Sequence, residues 1–470
     1  MSALSSLNTA TRALMAQQRA LDVTGQNVAN ANTDGYSRQR VDLQSIGANT
    51  VPAIFAKSSD VSGGVSADSV TRIRDAFMEN RALAEHATSA QLTVQSDAYT
   101  QIEASFREPG NTGLQYAMDT MWGSFEDVTG NDEAARSTAL QNVATVVSSL
   151  NTTSAALDQQ WSQTREDLSA TLDQVNSTAA QVAALNKQIQ AATQAGGGSD
   201  GSVNTLADRR DALVLSLAES IGATASVGTD GMVDVTIGGS TLVSGSISTK
   251  VALSGETSLR DLMGASPAAL AVRTDPGGTK LRVGGTAGGQ LAVLTDIVPE
   301  YQGKLDGIAT QVAAALNGGN SAGYLSDGTA GGALLGTADG SPITAASIAL
   351  LTTDPAKLAV SAVAGAASSD TSNAQAMAKL GSSNGVGSAY RTLVTQLGVD
   401  SAVSTQSLTI QTTITGNVDS ARQSVSGVSI DEEMTQMMAF QHGYQAAARM
   451  ITAMDEVLDK LINSTGRVGL

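Results

Sequence analysis

The residues able to do catalytic chemistry are few enough to weigh one at a time. The chain has no cysteine and only two histidines, His86 and His442. Thiolate nucleophiles, disulfides and cysteine metal sites are therefore excluded. Serine nucleophiles remain. The pattern G-x-S-x-G, which exposes a nucleophile when it forms a strand–turn–helix elbow, occurs around Ser199, Ser321 and Ser383. From Ser383 a hydrolase order can be assembled, with Asp400 and then His442 following in the chain. The elbow needs a buried strand running into the serine, whereas "NAQAMAKLGSS" before Ser383 reads as helix and loop. Three matches in a chain rich in Gly and Ser also devalue one another. Each histidine lies in a helical tract, where a lone histidine on a polar face is expected to be solvated. No phosphate loop, HExxH or EF-hand pattern is present, and "GGTAGGQL" at 284–291 lacks the spacing of a dinucleotide fingerprint. A serine hydrolase stays as the minor alternative. The main expectation is no catalytic residue, no cofactor and no metal.

Composition narrows the class further. The 470 residues are 41% hydrophobic, enough for two or three domains with cores of their own. Only 3% are aromatic, so those cores must be built from Ala, Val and Leu. A net charge of −17 argues against nucleic acid, whose phosphates need a basic face. It equally disfavours an anionic membrane surface. No stretch approaches the roughly 18 apolar residues of a membrane span, so no membrane insertion is expected. "MSALSSLNTATRAL" has neither a basic start nor a continuous apolar run and is not a cleaved signal peptide. The chain is expected to be cytoplasmic, or to leave the cell by a route that reads an uncleaved address.

The elements that must position any site come from periodicity. Leu7, Leu14, Leu21 and Val28 recur seven apart near the N-terminus, with Ala3, Ala10 and Ala31 on the same side. Ile430, Met437, Tyr444, Ile451 and Leu458 repeat that spacing near the other end, with Phe440, Ala447, Met454 and Leu461 as a second seam position. Ser429 followed by Asp431, Glu432 and Glu433 supplies a capping hydroxyl and acids where the helix dipole favours them. Matching seams predict one coiled coil closed by the two ends of the chain. Two amphipathic helices on separate domains is the blander alternative. Between the ends, 72–107, 112–195 and 206–221 read as helix, with "QAGGGSDGS" at 194–202 a loop. From 223 the period changes to two, as in Val233, Val235 and Ile237. Helix returns in "GGQLAVLTDIVPEYQGKLDGIATQVAAALN", with a kink expected before Pro299. A Gly/Ala/Ser-rich stretch with weak strand signals covers 318–371, and a long helical tract fills 388–424. The fold predicted is mainly α with an inserted β-rich domain. Terminal coiled-coil segments span 1–45 and 425–470. A helical core spans 46–222, 285–317 and 372–424, and a β-rich outer domain spans 223–284 and 318–371.

One stretch is not explained by a helix ending in a turn. In "QNVANANTDGYSRQR", residues 26–40, Asn32, Asp34 and Gly35 make a cap and turn. Asn27 and Asn30, however, fall in the last helical turn, where Asn is a poor helix former. Asn27-x-Ala29-Asn30-x-x-Thr33-x-Gly35-Tyr36 resembles the N-terminal signature of bacterial flagellar axial proteins, the rod, hook and hook-associated proteins. The C-terminus is more discriminating: "SVSGVSIDEEMTQMMAFQHGYQAAARMITAMDEVLDKLIN" is similar to the end of the hook-associated proteins of the first hook–filament junction. "EDVTGNDEAARSTALQNV" and "LADRRDALVLSLAESIG" are similar to the helical core of that family. The likeness covers most of 1–222, 285–317 and 388–470 and is weak in 223–284 and 318–387.

The resemblance implies a structural protein of the flagellum, exported through the flagellar type III apparatus without a cleaved signal and located outside the cell. It implies self-assembly into a ring on the hook protein, with the second junction protein and then the filament stacked above. It further implies an export chaperone at the C-terminal helix. The terminal helices would form an inner coiled-coil tube, the helical domain a middle layer and the β domain the outside. The assembly interface expected on this ground comprises Leu7, Leu14, Leu21, Val28, Asn27, Asn30, Thr33, Gly35 and Tyr36 with Ile430, Met437, Phe440, Tyr444, Ile451 and Leu458. Another hook or rod protein would share 26–40 and lack "SGVSIDEE".

Overall fold

The computed structural model describes residues 3–33, 35–46, 63–129, 132–195, 201–228, 230–365, 370–383 and 385–464. Asp34 and Ser199 lie outside them, as does most of the loop expected at 194–202, and the side chains of Ala3 and Leu461 are not described. The chain is mainly helical, and its two end helices pack on each other. Helix α1 (Ala3–Ala29) and helix α11 (Ile430–Ser464) run antiparallel, since Asn27 meets Glu433 while Gln17 lies over Gly443. The coiled coil expected from the two seams is present. A β-hairpin that periodicity does not reveal, β1 (Gln39–Ile46) with β2 (Gly64–Arg72), lies along α1 and carries a bulge between Asp42 and Gln44. Thr9 fixes one end of it by donating from Oγ1 to the Gly63 carbonyl at 2.7 Å.

The body is built on long helices. Asp75 caps α2 (Ala76–Phe106) by accepting from the amides of Phe77 and Met78. Helix α3 (Leu114–Ser124) follows, then α4 (Glu133–Gln194), capped by Asp132 in the same way and about 90 Å long at 1.5 Å per residue. Helix α5 (Ser202–Ile221) takes in the expected 206–221 and ends at Gly222 in a left-handed conformation. Near the other end of the chain come α9 (Ser372–Ser383) and α10 (Val386–Ser426). Helix α10 runs antiparallel to α2, with Phe106 stacked on Tyr390, Ser96 beside Thr405 and His86 beside Asp419. The core is as aliphatic as the composition requires. Trp161 is its largest fully buried side chain, and its indole N–H donates to the Leu294 carbonyl at 3.0 Å.

The insertion between α5 and α9 opens with strands. β3 (Thr224–Val227), β4 (Val233–Ile237), β5 (Ser240–Ser244) and β6 (Ile247–Ser248) form a four-stranded antiparallel sheet. β7 (Lys250–Ser254) pairs with β8 (Ala271–Asp275), and the short helix α6 (Leu259–Leu262) lies between them. Val233, Val235 and Ile237 all point inward, as the alternation predicts. Helix α7 (Gly285–Ala292) continues through a π-helical turn at 293–297 into α8 (Val298–Ser321). Pro299 lies just past the π-helical turn, inside this continuous helical stretch, and the wider turn accommodates the loss of the hydrogen bond that its missing N–H cannot make. Among their described part, residues 322–371 carry the two-residue strands β9 (Leu335–Gly336) and β10 (Ala349–Leu350) and a single 3-10 turn at Pro355–Lys357. Asparagine side chains organise this stretch. Asn317, Asn320 and Asn373 bond the backbone at Leu335, Gly332 and Ala359.

Candidate assembly surface at the joined termini

The stretch 26–40 closes the two ends of the chain on each other. Asn27 is 1% exposed, and all four of its side-chain hydrogen-bonding positions are filled. Its Nδ2 donates to the Gln39 carbonyl at 2.9 Å and to Glu433 Oε2 at 3.0 Å. Its Oδ1 accepts from the Gln39 amide at 3.0 Å and from the Tyr36 hydroxyl at 2.9 Å. A poor helix former in the last turn of α1 thus joins that helix to the start of β1 and to the first turn of α11. Asn30 acts locally: it donates to the Gln26 carbonyl at 3.0 Å and accepts from Thr33 Oγ1 at 3.3 Å, finishing the helix. Gly35 then turns the chain at a φ of +77°, which suits glycine.

Charge secures the same point. Arg38 Nε lies 2.7 Å from Glu433 Oε1, and Arg38 Nη1 lies 3.0 Å from Glu432 Oε2. Glu433 is 1% exposed, so its carboxylate depends on Arg38 and Asn27 for the stabilisation that water no longer supplies. The Arg38 amide donates to the Ser426 carbonyl, holding the last turn of α10 as well. Burial pushes the Tyr36 hydroxyl up to about 12, with the charges of Asp208 and Glu433 adding to the shift. It therefore remains a donor to Asn27. On the far side, Arg72 binds Asp208 at 2.9 Å and Asp211 at 2.7 Å, and Arg74 binds Asp211 and Glu79. These pairs fasten β2 to α5. Arg38, Arg72, Arg74, Asp208 and Asp211 were not singled out by motif or period, and Glu433 only as an acid at a helix start. One sequence signal for the first pair existed: arginines cluster after α1 and acids at the start of α11, with opposite signs.

The seam residues are arranged in two ways. In α1 the leucines Leu7, Leu14, Leu21 and Val28 are half-buried, whereas Ala10, Ala16, Ala20 and Val23 are buried. Small residues occupy the inner face because the helix packs on α11 and on the hairpin together. In α11 the seam itself is the least exposed stripe, with Met437, Phe440, Ile451, Met454 and Leu458 half-buried and Ala447 buried. Tyr444 is 36% exposed and Ile430 50%. Outside the seam stand Met15, Met434, Met438, Met450, Val457 and Ile462, all exposed. Two clefts open beside the joint. A mainly polar one of about 760 Å³ is bordered by Asn30, Gly35, Arg74, Asp419, Arg422 and Ser429. A smaller one of about 310 Å³ lies among Ala20, Val23, Val41, Leu43, Ile73 and Phe440.

The serine patterns assemble no nucleophile among the described residues. A helix, α9, enters Ser383, and its Oγ donates to the Lys379 carbonyl at 2.9 Å. Ser321 caps the end of α8. Asp400 accepts from the Tyr301 hydroxyl at 2.6 Å, and His442 stands exposed on α11. Among the described residues no group of His, Cys, Asp and Glu is placed to hold a metal ion, and no helix is long and apolar enough to cross a membrane. His86 departs from the expected solvated state, being half-buried between two carboxylates.

Comparison with known proteins covers this whole arrangement. Residues 99–335 match the family described as the flagellar hook-associated protein FlgK helical domain. Residues 7–36 match the flagella basal body rod protein family, and 420–464 match the flagellar basal body rod FlgEFG protein C-terminal family. The flagellar hook-associated protein 1 of Bacillus subtilis is 30% identical over 98% of this chain and 98% of its own length. That of Escherichia coli is 26% identical over 97% of this chain and 99% of its own. The solved structure of the flagellar hook junction protein FlgK from Burkholderia pseudomallei shares the fold, with a TM-score of 0.63 at 17% identity over 74% of this chain and 100% of that one.

Proposed function

Because the chain belongs to the flagellar hook-associated protein 1 family, we propose that it is a structural protein of the bacterial flagellum that forms the junction between hook and filament. The observation that carries this reading is the joined pair α1 and α11, locked by Asn27, Arg38 and Glu433, with large apolar side chains left on its outside. A helical pair that has closed on itself and still exposes Met434, Met438, Met450 and Val457 has surface to bury against neighbours. Its partners are those of an axial protein: the hook, the filament and other junction proteins.

In finer detail, subunits self-assemble into a ring on the end of the hook and template the second junction protein and the filament. The half-buried seam residues Leu7, Leu14, Leu21, Val28, Met437, Phe440, Ile451 and Leu458 complete their burial there, and the exposed Ile430 and Tyr444 join them. Asn27, Asn30, Thr33, Gly35 and Tyr36 act less by touching a neighbour than by fixing the geometry of the joint. The segments 1–45 and 425–470 are then the assembly part of the subunit. An export chaperone covers α11 before assembly, and the chain reaches the extracellular flagellum without a cleaved signal peptide.

A strain lacking the gene, complemented with the native chain or with none, tests the reading. Without the chain, hooks should form and filament protein should appear in the medium; with it, filaments should be retained. Normal filaments in the uncomplemented strain would overturn the proposal.

A further inference from the structure

Three helices from distant parts of the sequence meet on one imidazole. His86 of α2 has Nδ1 2.9 Å from Glu219 Oε1 at the end of α5 and Nε2 3.0 Å from Asp419 Oδ2 near the end of α10. A neutral imidazole has one N–H and one lone pair. With a carboxylate at each nitrogen, only the imidazolium donates in both directions. Either neutral tautomer turns a lone pair towards an anion.

This contact is the last link of a chain of alternating charge. Arg72 joins Asp208 and Asp211, Arg74 joins Asp211 and Glu79, and Arg422 stands 3.6 Å from Glu79 and 3.7 Å from Asp419. Asp419 leads to His86 and then to Glu219. The chain runs from the N-terminal hairpin across α5 and α2 to the last turns of α10, where the Ser426 carbonyl receives the Arg38 amide of the terminal clamp. Arginines and ordinary carboxylates hold their charge through the neutral range, whereas histidine changes its charge there. The groups facing His86 from each packed element are few. Glu219 comes from α5, and Asp419 with Arg422 behind it comes from α10. Glu79 and Glu85 belong to α2 itself. Helix α7 and strand β3, which also pack on α2, carry no ionisable side chain, and no charge of α4 or of 293–297 bonds to the ring.

We propose that His86 is a pH-sensitive pin that, when protonated, ties the end of α10 to α5 and so seats the joined termini on the helical body. The hydrogen bond to Glu219 leads in raising the pKa of His86 above the usual 6.5; burial opposes it and Asp419 adds to the rise. A raised folded-state pKa means the pin is fully engaged below about 6.5, the value in the unfolded chain, and is lost as pH climbs through the raised value. Acid sets the joint, and alkali loosens it.

The test needs the full chain only. With two histidines, labelled-histidine NMR gives two ring signals, and His442→Gln assigns them. The His86 signal should titrate with a midpoint above the ordinary imidazole value of about 6.5, and Asp419→Asn should lower it. Amide exchange in 412–426, corrected for its intrinsic pH dependence, should rise across that midpoint by up to about tenfold for each unit of elevation. The step should vanish in His86→Gln and shrink in Asp419→Asn. A His86 midpoint at or below about 6.5, or exchange without a step across it, would overturn the proposal.

Discussion

Asn27 and Glu433 are separated by 406 positions in the chain and by one hydrogen bond in the fold. Removing Arg38 leaves the Glu433 carboxylate buried without its cation, a change that costs about 3 kcal/mol when a buried pair is broken from one side. We expect Arg38→Ala to lose about that much in chemical denaturation, and Arg38→Ala with Glu433→Gln to recover most of it. Equal losses in both variants would mean that packing, and not charge, is what Arg38 supplies. Tyr36 gives a second handle. Its folded pKa is raised to about 12, so its contribution is complete below the ordinary value of about 10 and disappears as pH rises through the raised one. The phenolate difference spectrum between the native chain and Tyr36→Phe should therefore show a tyrosine ionising near 12. These roles were not legible in the sequence. Periodicity reports which face is apolar, and it is silent on a buried polar network whose members are four hundred residues apart.

Among the elements, the long helices and the terminal pair were readable because each repeats an apolar stripe for many turns. The hairpin β1–β2 was not, since its strands alternate weakly: Asp42, Gln44 and Ser45 are all partly or fully exposed. The insertion was readable where Val233, Val235 and Ile237 alternate and unreadable in 322–371, which asparagines hold together around strands of only two residues. The same device fixes the sheet to α4. Asn186 is fully buried, donates to the carbonyls of Val233 and Gly245, and accepts from the Val233 amide and from Arg210. Asn186→Ala strands those groups at about 1–3 kcal/mol for a buried unsatisfied partner. The prediction is a clear drop in melting temperature, whereas Asn176→Ala, whose two bonds to Val251 are only partly buried, should cost less. The reverse order would contradict this account of the sheet. Gly222 sits at a close approach of two backbones. An added Cβ would sit 2.7 Å from Gly284 Cα at a φ of +72°. Gly222→Ala should lower the melting temperature, destabilising by more than the ~1 kcal/mol that the same change gains where the backbone allows it.

For the whole molecule, the two ends of the chain form one antiparallel pair, tied to the body through the hairpin, α5 and α10. That construction separates folding from assembly. Ile451 is half-buried in the seam and Met438 exposed outside it. Ile451→Asp places a carboxylate against apolar neighbours and should weaken both the terminal pair and incorporation at the hook. Met438→Asp should leave the isolated subunit's unfolding unchanged while filament protein leaks into the medium. The central claim, that this chain is the material of the hook–filament junction, is tested most directly by immunogold electron microscopy of isolated hook–filament structures with antibody to the chain. The account predicts one narrow band of gold where the hook ends and the filament begins. Gold along the filament, along the hook or rod, or absent from the isolated structures would contradict it.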